Sequence, residues 1–172
     1  MQICLVGYMT AGKSTLGELL AQKMELPFAD LDQRIADEAQ ISVHEYIRTK
    51  GELSFRKLER EVLHRELGAE NVLALGGGTP CYYDNMDVAL EQSFVVYLQW
   101  SIRTLVSRIE NELSSRPLFD GVNKSDLPEF VAKHVFDRRP YYEKAHHIVF
   151  CDGKTEEQIC AEIRTACKKH QV

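Results

Sequence analysis

The chain has 172 residues, of which 44% are hydrophobic and 27% are charged, and its formal net charge is −5 at pH 7. This composition is typical of one globular domain and excludes disordered, collagen-like and disulfide-scaffold proteins. The negative net charge predicts no nucleic-acid partner. The apolar runs, such as residues 94–98, are much shorter than the span of about 20 residues that a membrane-spanning helix needs, so no membrane span is predicted.

Short apolar runs alternate with amphipathic stretches along the chain. Runs of strand length lie at residues 3–6, 72–75, 94–98 and 148–151, and residues 28–30 are considered as a short second strand. Apolar residues at helical spacing occupy residues 16–24, 55–63, 102–109 and 159–167. N-caps are expected at Ser42, Ser101 and Thr155. Because parallel strands need helical crossovers, we predict an α/β fold, with a parallel sheet between two helical layers.

The five cysteines include no C-x-x-C pair. This spacing indicates a reducing compartment rather than a zinc site or a disulfide framework. No basic leader precedes the first apolar run, so a cytoplasmic location is expected. The small size and the lack of an obvious exposed apolar stripe predict a monomer, and we interpret the single tryptophan, Trp100, as a packing residue.

Residues 7–15 read GYMTAGKST and match the phosphate-loop pattern G-x-x-x-x-G-K-[ST], between the first strand and a helix. Backbone N–H groups and the helix N-terminus would bind phosphates, Lys13 would reach the β- and γ-phosphates, and the Ser14 hydroxyl suits Mg²⁺. The alternative is a chance Gly-Lys-Ser turn before an ordinary helix. The residues predicted to bind ATP here are Thr10, Ala11, Gly12, Lys13, Ser14 and Thr15.

Acids and glycines follow the next two predicted strands. Asp30 and Asp32 stand at the carboxyl end of the second run, where ligands gather in open parallel sheets, although either residue is also a suitable helix N-cap. Gly76, Gly77 and Gly78 end the third run, where three glycines are costly unless the backbone closely approaches a ligand. The acids are therefore predicted to lie near the nucleotide, and the glycine triplet is predicted to lie beside a ligand.

Two arginines have candidate roles in anion binding. Arg56 follows the core residue Phe55, and Glu59 three residues later can orient it; a guanidinium so held grips a carboxylate with two hydrogen bonds, although a surface ion pair is the alternative. Arg116 lies in an irregular stretch at about 113–125, which we interpret as a mobile lid. A lid arginine would add positive charge at a transferring phosphate.

Together with the phosphate loop, these motifs resemble the shikimate kinase family of nucleoside-monophosphate-kinase-like P-loop enzymes, over nearly the whole chain. The motifs that carry the resemblance are Asp30-x-Asp32, Gly51-Glu52-x-x-Phe55-Arg56-x-x-Glu59, Leu75-Gly76-Gly77-Gly78, Arg116-Pro117-Leu118 and Arg138-x-Pro140-x-Tyr142.

The resemblance implies a single kinase domain over residues 1–172, with a five-stranded sheet in the order 2-3-1-4-5. A substrate-binding helical segment at about 31–68 and the lid at about 113–125 would belong to it. It implies transfer of the γ-phosphate of ATP to the 3-hydroxyl of shikimate, giving shikimate 3-phosphate and ADP, a step toward aromatic amino acids. Magnesium is the implied cofactor.

By the same resemblance, Asp30 helps to hold hydrated magnesium with Ser14, and Asp32 bonds the acceptor hydroxyl. Positioning is the safer role for Asp32, because an aspartate with a pKa of about 4 is a weak base. Arg56 and Arg138 bind the shikimate carboxylate.

The resemblance also gives roles to the remaining site residues. The glycine triplet lies beside the substrate, with the N–H of Gly77 offered to shikimate. Arg116 acts on the transferring phosphate. Arg108 packs against adenine, with a solvated helix residue as the alternative. Thr10 departs from the family, which usually has glycine there, and a positive φ at this position would cost roughly 1 kcal/mol.

Two other functions stay open from the sequence. A kinase for another hydroxylated acid, such as gluconate, would keep the phosphate loop and the lid. A non-catalytic ATP-binding module would keep the loop alone and have no need of Asp32, Arg56 and Arg116.

Overall fold

The computed structural model describes residues 1–112 and 123–170. The strands in these ranges are β1 (Ile3–Val6), β2 (Phe28–Asp30), β3 (Val72–Ala74), β4 (Phe94–Gln99) and β5 (His147–Phe150). The helices are α1 (Lys13–Met24), α2 (Leu31–Ala39), α3 (Val43–Lys50), α4 (Glu52–Glu66), α5 (Asn85–Gln92), α6 (Ile102–Glu112), α7 (Leu127–Tyr142) and α8 (Glu156–His170).

The strands form one parallel sheet in the order β2-β3-β1-β4-β5, which confirms the predicted topology. In the register of the central strands, Cys4 of β1 lies opposite Leu73 of β3 and Val95 of β4. All four residues of β1 are buried. The alternation of strands and helices in the sequence therefore correctly predicted the fold class.

Helices cover both faces of the sheet because successive strand residues point to opposite sides. Ile3 and Leu5 of β1 belong to a core cluster shared with α1 and α8. Cys4 and Val6 belong to a second cluster, shared with α2, α4, α5 and α7. The two clusters are the two interfaces of a three-layer α/β/α architecture, as predicted.

The predicted strand ends were wrong by one residue in three strands. β4 ends at Gln99 rather than at residue 98. β3 ends at Ala74 rather than at residue 75, although the N–H of Leu75 still donates to the carbonyl of Leu5. β5 begins at His147, which pairs with Val96 of β4, and it ends one residue earlier than predicted. Pairing with the neighbouring strand, rather than apolar character, decides these ends.

All three predicted N-caps are confirmed. Ser42 Oγ accepts the N–H of Glu45 at 3.1 Å, and Ser101 Oγ accepts the N–H of Thr104 at 3.3 Å. Thr155 and Gln158 form a reciprocal capping box, in which each side chain accepts the other's backbone N–H. These caps fix where α3, α6 and α8 begin.

Four helices, α2, α3, α5 and α7, were not predicted from the apolar spacing, although the N-cap at Ser42 indicated the start of α3 and the family resemblance implied a helical segment at about 31–68. Helix α7 has a proline in its first turn and Pro140 inside it, a residue that normally interrupts a helix. Burial of Leu127, Val131 and Tyr142 stabilises it nevertheless. This helix is functionally important because it carries Arg138.

Of the lid candidate, only residues 123–125 fall in the described ranges, and Arg116, Pro117 and Leu118 lie outside them. Within the described residues, no helix has both the length and the apolar character needed to cross a membrane.

Candidate active site

A cavity of about 770 Å³ opens where β1, β2, β3 and β4 end at their carboxyl termini. This edge of a parallel sheet is where ligands bind in open α/β folds, and the volume suits a small-molecule site. The lining residues come from the phosphate loop, the acid pair, the glycine triplet, the β4–α6 segment and the start of α8: Met9, Thr10, Gly12, Lys13, Ser14, Thr15, Leu16, Asp30, Asp32, Leu75, Gly76, Gly77, Trp100, Arg108, Lys154, Thr155, Glu156 and Ile159.

Two residues near the end of the phosphate loop, Thr10 and Gly12, have left-handed backbone conformations. Gly12, at φ 77°, caps α1. Thr10 has φ 62°, so the condition for backbone strain is met at the position where a glycine is usual in the family. Lys13 Nζ donates to the carbonyls of Gly7 at 2.9 Å and Tyr8 at 3.0 Å. The ammonium group is therefore held over the loop that it is predicted to complete.

Asp30 is the N-cap of α2, which confirms the alternative considered for it. Its Oδ1 accepts the N–H groups of Asp32 at 3.0 Å and Gln33 at 3.4 Å. Its Oδ2 accepts a hydrogen bond from Ser14 Oγ at 2.6 Å. Capping thus uses one carboxylate oxygen and leaves the other beside the Ser14 hydroxyl, so the two predicted magnesium-binding side chains lie together.

Asp32 lies in the first turn of α2 and lines the cavity, to which its side chain is open. Desolvation by the surrounding walls raises the pKa of Asp32 to about 6, and the negative charges of Asp30 and Glu59 act in the same direction. The positive charges of Lys13 and Arg56 oppose this shift. The carboxyl group is therefore poised to gain or lose a proton near neutral pH.

The glycine triplet provides space for charged side chains. A Cβ at Gly76 would lie 2.8 Å from Asp32 Oδ1, and one at Gly78 would lie 2.9 Å from an Arg56 guanidinium nitrogen. At Gly77 it would lie 3.5 Å from Arg138 Nη1. At Gly76 and Gly78 the backbone therefore lies close to the protein's own side chains, whereas the predicted close approach to a ligand stays a prediction.

Arg56 is held from three sides. Its Nη1 donates to Glu59 Oε2 at 2.8 Å and its Nη2 to Glu52 Oε1 at 3.2 Å, while its Cζ lies 3.9 Å from the centre of the Tyr82 ring. Only 11% of the Arg56 side chain is exposed, so the alternative of a surface ion pair is wrong. Among the described residues, its buried Nε has no hydrogen-bond partner.

The charge of Arg56 is secure in this setting. Burial is the largest single effect and acts to lower the pKa of Arg56, but Glu59, Tyr82 and Glu52 together outweigh it and the net pKa is raised. Burial of an N–H donor without a partner is costly. The Nε–H of Arg56 is therefore a donor available to a ligand oxygen.

A chain of buried polar residues behind Arg56 was not predicted from the sequence. Thr79 Oγ1 donates to Glu59 Oε1 at 2.6 Å, and Asn85 Nδ2 donates to the carbonyl of Thr79 at 2.9 Å. These three residues are at most 1% exposed. The contact between α4 and this segment is tertiary, so no local spacing predicts it. Within the sequence, the only signal for this chain of polar residues is that polar residues follow the glycine triplet.

We expect Thr79→Val to destabilise the fold, because the buried Glu59 carboxylate would lose a hydrogen-bond donor without losing its burial. The expected loss in the free energy of unfolding is about 2 kcal/mol, measured by urea denaturation. Thr165→Val is the matched control, since Thr165 donates to the carbonyl of Ala161 on the exposed face of α8. Equal stability of the two variants would contradict this account.

Arg138 reaches the same place from α7. Its Cζ lies 5.4 Å from the centre of the Tyr8 ring, and no carboxylate of the described residues forms an ion pair with it. The Tyr142 hydroxyl, one helical turn later, donates to the carbonyl of Gly77. The positive charges of Arg138 and Arg56 both act to lower the pKa of the nearby Cys81 thiol, although burial has the larger effect and the net pKa is raised. Two arginines thus meet at the glycine triplet.

Arg108 is not a solvated helix residue, so that alternative is wrong. Its Nη1 donates to the carbonyl of Thr10 at 2.9 Å, and its guanidinium stacks on Trp100 with Cζ 3.8 Å from the ring centre. Trp100 packs against two core clusters, which confirms the packing interpretation, but it also donates a hydrogen bond to the carbonyl of Ala11. The predicted lid arginine, Arg116, lies outside the described residues.

Comparisons with known proteins identify relatives of this arrangement. A family model described as shikimate kinase matches residues 9–168. The shikimate kinase of Flavobacterium psychrophilum is 40% identical over 165 residues, covering 94% of this chain and 96% of that protein. That of Bacteroides fragilis is 36% identical over 171 residues, covering 98% and 93%.

Solved structures agree with these sequence matches. A crystal structure of shikimate kinase from Bacteroides thetaiotaomicron superposes with a TM-score of 0.90 at 34% identity, covering 98% of each chain. Shikimate kinase from Acinetobacter baumannii, in complex with shikimate, gives a TM-score of 0.89 at 25% identity, covering 99% of this chain and 94% of that one.

Proposed function

This chain belongs to the shikimate kinase family, and from that membership we propose how its own residues transfer the γ-phosphate of ATP to the 3-hydroxyl of shikimate. The reaction is a phosphoryl transfer, in which positioning and charge neutralisation supply most of the catalysis. Catalysis therefore depends on where this chain holds positive charge, hydrogen-bond donors and an acceptor for the attacking hydroxyl group.

ATP binds in the cavity at the carboxyl edge of the sheet. Its β- and γ-phosphates lie on the backbone N–H groups of the loop and the N-terminus of α1, with Lys13 as their counter-charge. Ala11 and Thr15 belong to the same loop. Arg108 lines the cavity beside Trp100 and contacts the base. Arg116 neutralises the transferring phosphate, a role that rests on the family resemblance.

Magnesium fits the donor set at the end of β2. The Ser14 hydroxyl and Asp30 Oδ2 are hard oxygen donors 2.6 Å apart, and Mg²⁺ typically combines one or two such protein groups with phosphates and water. When bound, the ion offsets the negative charge of the phosphates. Ser14 would hold it directly, and Asp30 through water.

The observation that carries the proposal for the acceptor is the pair of arginines at one end of the glycine triplet and Asp32 at the other. Arg56 has a buried donor without a partner, and Arg138 has no ion-pair partner among the described residues. Together they suit the carboxylate of shikimate. Gly77 offers its N–H between them and Asp32, so an acid bound by its carboxylate presents a hydroxyl group to Asp32.

Asp32 accepts the hydrogen bond of the attacking hydroxyl and orients it toward the γ-phosphate. The raised pKa of Asp32 lies closer to neutral pH than that of an ordinary aspartate, so its carboxylate is a stronger base for the hydroxyl proton. Asp32 can position the hydroxyl group even if the hydroxyl proton has not fully transferred to it before the oxygen attacks the γ-phosphate. Both roles need the ionised carboxylate.

The test is coupled ADP release with ATP and magnesium, measured without acceptor, with shikimate and with gluconate. We expect release that requires shikimate, exceeds the rate with gluconate and stops when EDTA removes magnesium. Faster release with gluconate would identify a different hydroxy-acid kinase. Tight ATP binding without acceptor-dependent release would instead indicate a nucleotide-binding module.

A monomer in the cytoplasm completes the proposal. All five cysteines are free, which suits a reducing compartment. Among the described residues, the exposed large apolar side chains lie on separate elements or loops rather than together on one element. They are Ile41, Leu53, Tyr83, Phe136 and Phe150. Sedimentation velocity that gives the mass of one chain would support the monomer.

A further inference from the structure

The single tryptophan of the chain contacts the phosphate loop from outside its sequence motif. Trp100 lies between the end of β4 and the start of α6, and its indole Nε1–H donates to the carbonyl of Ala11 at 3.0 Å. Arg108, stacked on the indole, donates to the carbonyl of Thr10. One stacked pair of side chains therefore holds two consecutive carbonyls of the loop.

The geometry of the peptide group gives this contact a consequence for phosphate binding. In a trans peptide the C=O and the N–H point in opposite directions. When the indole holds the carbonyl of Ala11, it also directs the N–H of Gly12 away from itself. Gly12 lines the cavity and caps α1, so its N–H belongs to the group of donors that a phosphate would meet.

The loop needs such support because Thr10 is strained. A β-branched residue with φ 62° lies in a region that L-residues rarely adopt, and it persists only where its surroundings impose it. Its Oγ1 is buried without a hydrogen-bond partner in the described part of the chain. The side chain of Thr10 thus does not stabilise this conformation by a hydrogen bond, whereas its carbonyl and the next one are held by Arg108 and Trp100.

We propose that Trp100 is a positioning residue for the phosphate loop: its indole N–H sets the Ala11–Gly12 peptide in the phosphate-binding orientation, and its ring supports Arg108. Trp100 acts on the phosphates through the backbone and does not itself contact them. The inference rests on the proposed function only in that this loop binds the phosphates of ATP.

The experiment compares wild type and Trp100→Phe by calorimetric titration with two probes, ADP and inorganic tripolyphosphate. Phenylalanine keeps an aromatic face for Arg108 and removes the N–H donor. Because one neutral hydrogen bond is lost, we expect affinity for both probes to fall about three- to tenfold. The KM for ATP should rise in the same proportion, and the KM for shikimate should not change.

The matched control is Phe150→Leu, which removes an exposed aromatic ring at the end of the neighbouring strand β5, outside the cavity. It should bind both probes as wild type does, and an equal loss there would contradict the proposal. If Trp100→Phe lost affinity for ADP alone, Trp100 would contact the base and the proposal would be wrong. Unchanged affinity for both probes would also overturn it, while ADP binding by wild type would leave the proposed function intact.

A second measurement needs no substitution. Because the chain has one tryptophan, a ¹⁵N-labelled sample gives a single indole N–H signal. Its hydrogen exchange should be slowed by the bond to Ala11 and should stay slow with tripolyphosphate bound. Exchange at the rate of a free indole in either state would show that this hydrogen bond does not hold the loop.

Discussion

Asp32→Asn is expected to lower kcat by about 10²- to 10⁴-fold, the usual contribution of a positioned acid–base group. Asparagine keeps the size of the side chain but cannot accept the hydroxyl proton, and it presents an N–H₂ group where an acceptor is needed. Affinity for ATP should be little changed, because the phosphate loop is intact. Initial rates of ADP release at saturating substrates measure the effect.

The matched control is Asp37→Asn, on the same helix. Asp37 is exposed and accepts a hydrogen bond from Gln33 Nε2 at 2.7 Å, and it does not line the cavity of the phosphate loop. Its kcat should equal that of wild type. If Asp32→Asn retained more than about a tenth of the wild-type kcat, Asp32 would not have the proposed role.

The pH dependence of kcat/KM follows from the same carboxylate. With the pKa of Asp32 at about 6, the ionised form decreases below that pH, so wild-type kcat/KM should fall with decreasing pH, approaching about tenfold per pH unit. Asp32→Asn should lack this decrease. A wild-type profile that stays flat down to pH 5 would contradict an essential ionised Asp32.

Stability should move in the opposite direction from activity. Between its ordinary pKa of 3.8 and its raised pKa of about 6, the folded protein holds a proton on Asp32 that the unfolded chain has released. The contribution of Asp32 to the free energy of unfolding therefore falls as pH rises through this window. At neutral pH, Asp32→Asn should unfold no more easily than wild type, which separates lost chemistry from lost structure.

Arg56→Lys is expected to raise the KM for shikimate by about 10- to 100-fold, with the KM for ATP unchanged. Lysine keeps the positive charge beside the buried Glu59 but loses the planar fork, including the Nε–H that has no partner among the described residues. Hydrogen bonds to charged groups contribute about 1.5–3 kcal/mol each, which corresponds to this range. Lysine is a better replacement than alanine, since alanine would leave Glu59 buried without its cation.

Arg60 provides a close control on the next turn of α4. Its Nε donates to Asp84 Oδ1 at 2.9 Å and its Cζ lies 5.7 Å from the centre of the Tyr83 ring, so it resembles Arg56 in its partners but is 43% exposed. Arg60→Lys should leave the KM for shikimate unchanged. An equal increase in both variants would mean that α4 as a whole, rather than Arg56, had been disturbed.

The methyl ester of shikimate tests whether the arginine acts on the carboxylate. The ester carries no negative charge, so wild type should bind it weakly, and Arg56→Lys should reduce its affinity much less than that of shikimate. A loss of the same size for the ester and the acid would assign Arg56 to another part of the substrate.

Local patterns in the sequence were sufficient to predict the fold class and to locate the phosphate-loop motif. A strand such as residues 3–6 is buried on both faces of the sheet, so its residues are continuously apolar. The crossover helices pack on the sheet, so each carries an apolar stripe. The phosphate loop is contiguous, so its spacing is written in the chain. N-caps at Ser42, Ser101 and Thr155 are likewise local, because each side chain bonds a backbone group three residues away.

Helix α7 was harder to predict, because its stability comes from buried contacts rather than from its own sequence. Pro140 argues against a helix there, whereas Leu127, Val131 and Tyr142 are buried against other elements. The position of Arg138 beside Gly77 therefore depended on tertiary packing.

The sequence by itself determined that this protein has a parallel α/β sheet with a phosphate loop, and its ordered motifs indicated its family, while the arginines and acids assigned to the site stay predictions. The tertiary structure decided how these groups are tuned. Thr79 and Glu59 meet across 20 residues, and Trp100 reaches Ala11 across 89. Such contacts join segments that are adjacent only after the sheet has formed, so no local spacing encodes them. The burial that raises the pKa of Asp32, the enclosure of the Arg56 guanidinium and the support of the phosphate loop all depend on elements that the fold brings together.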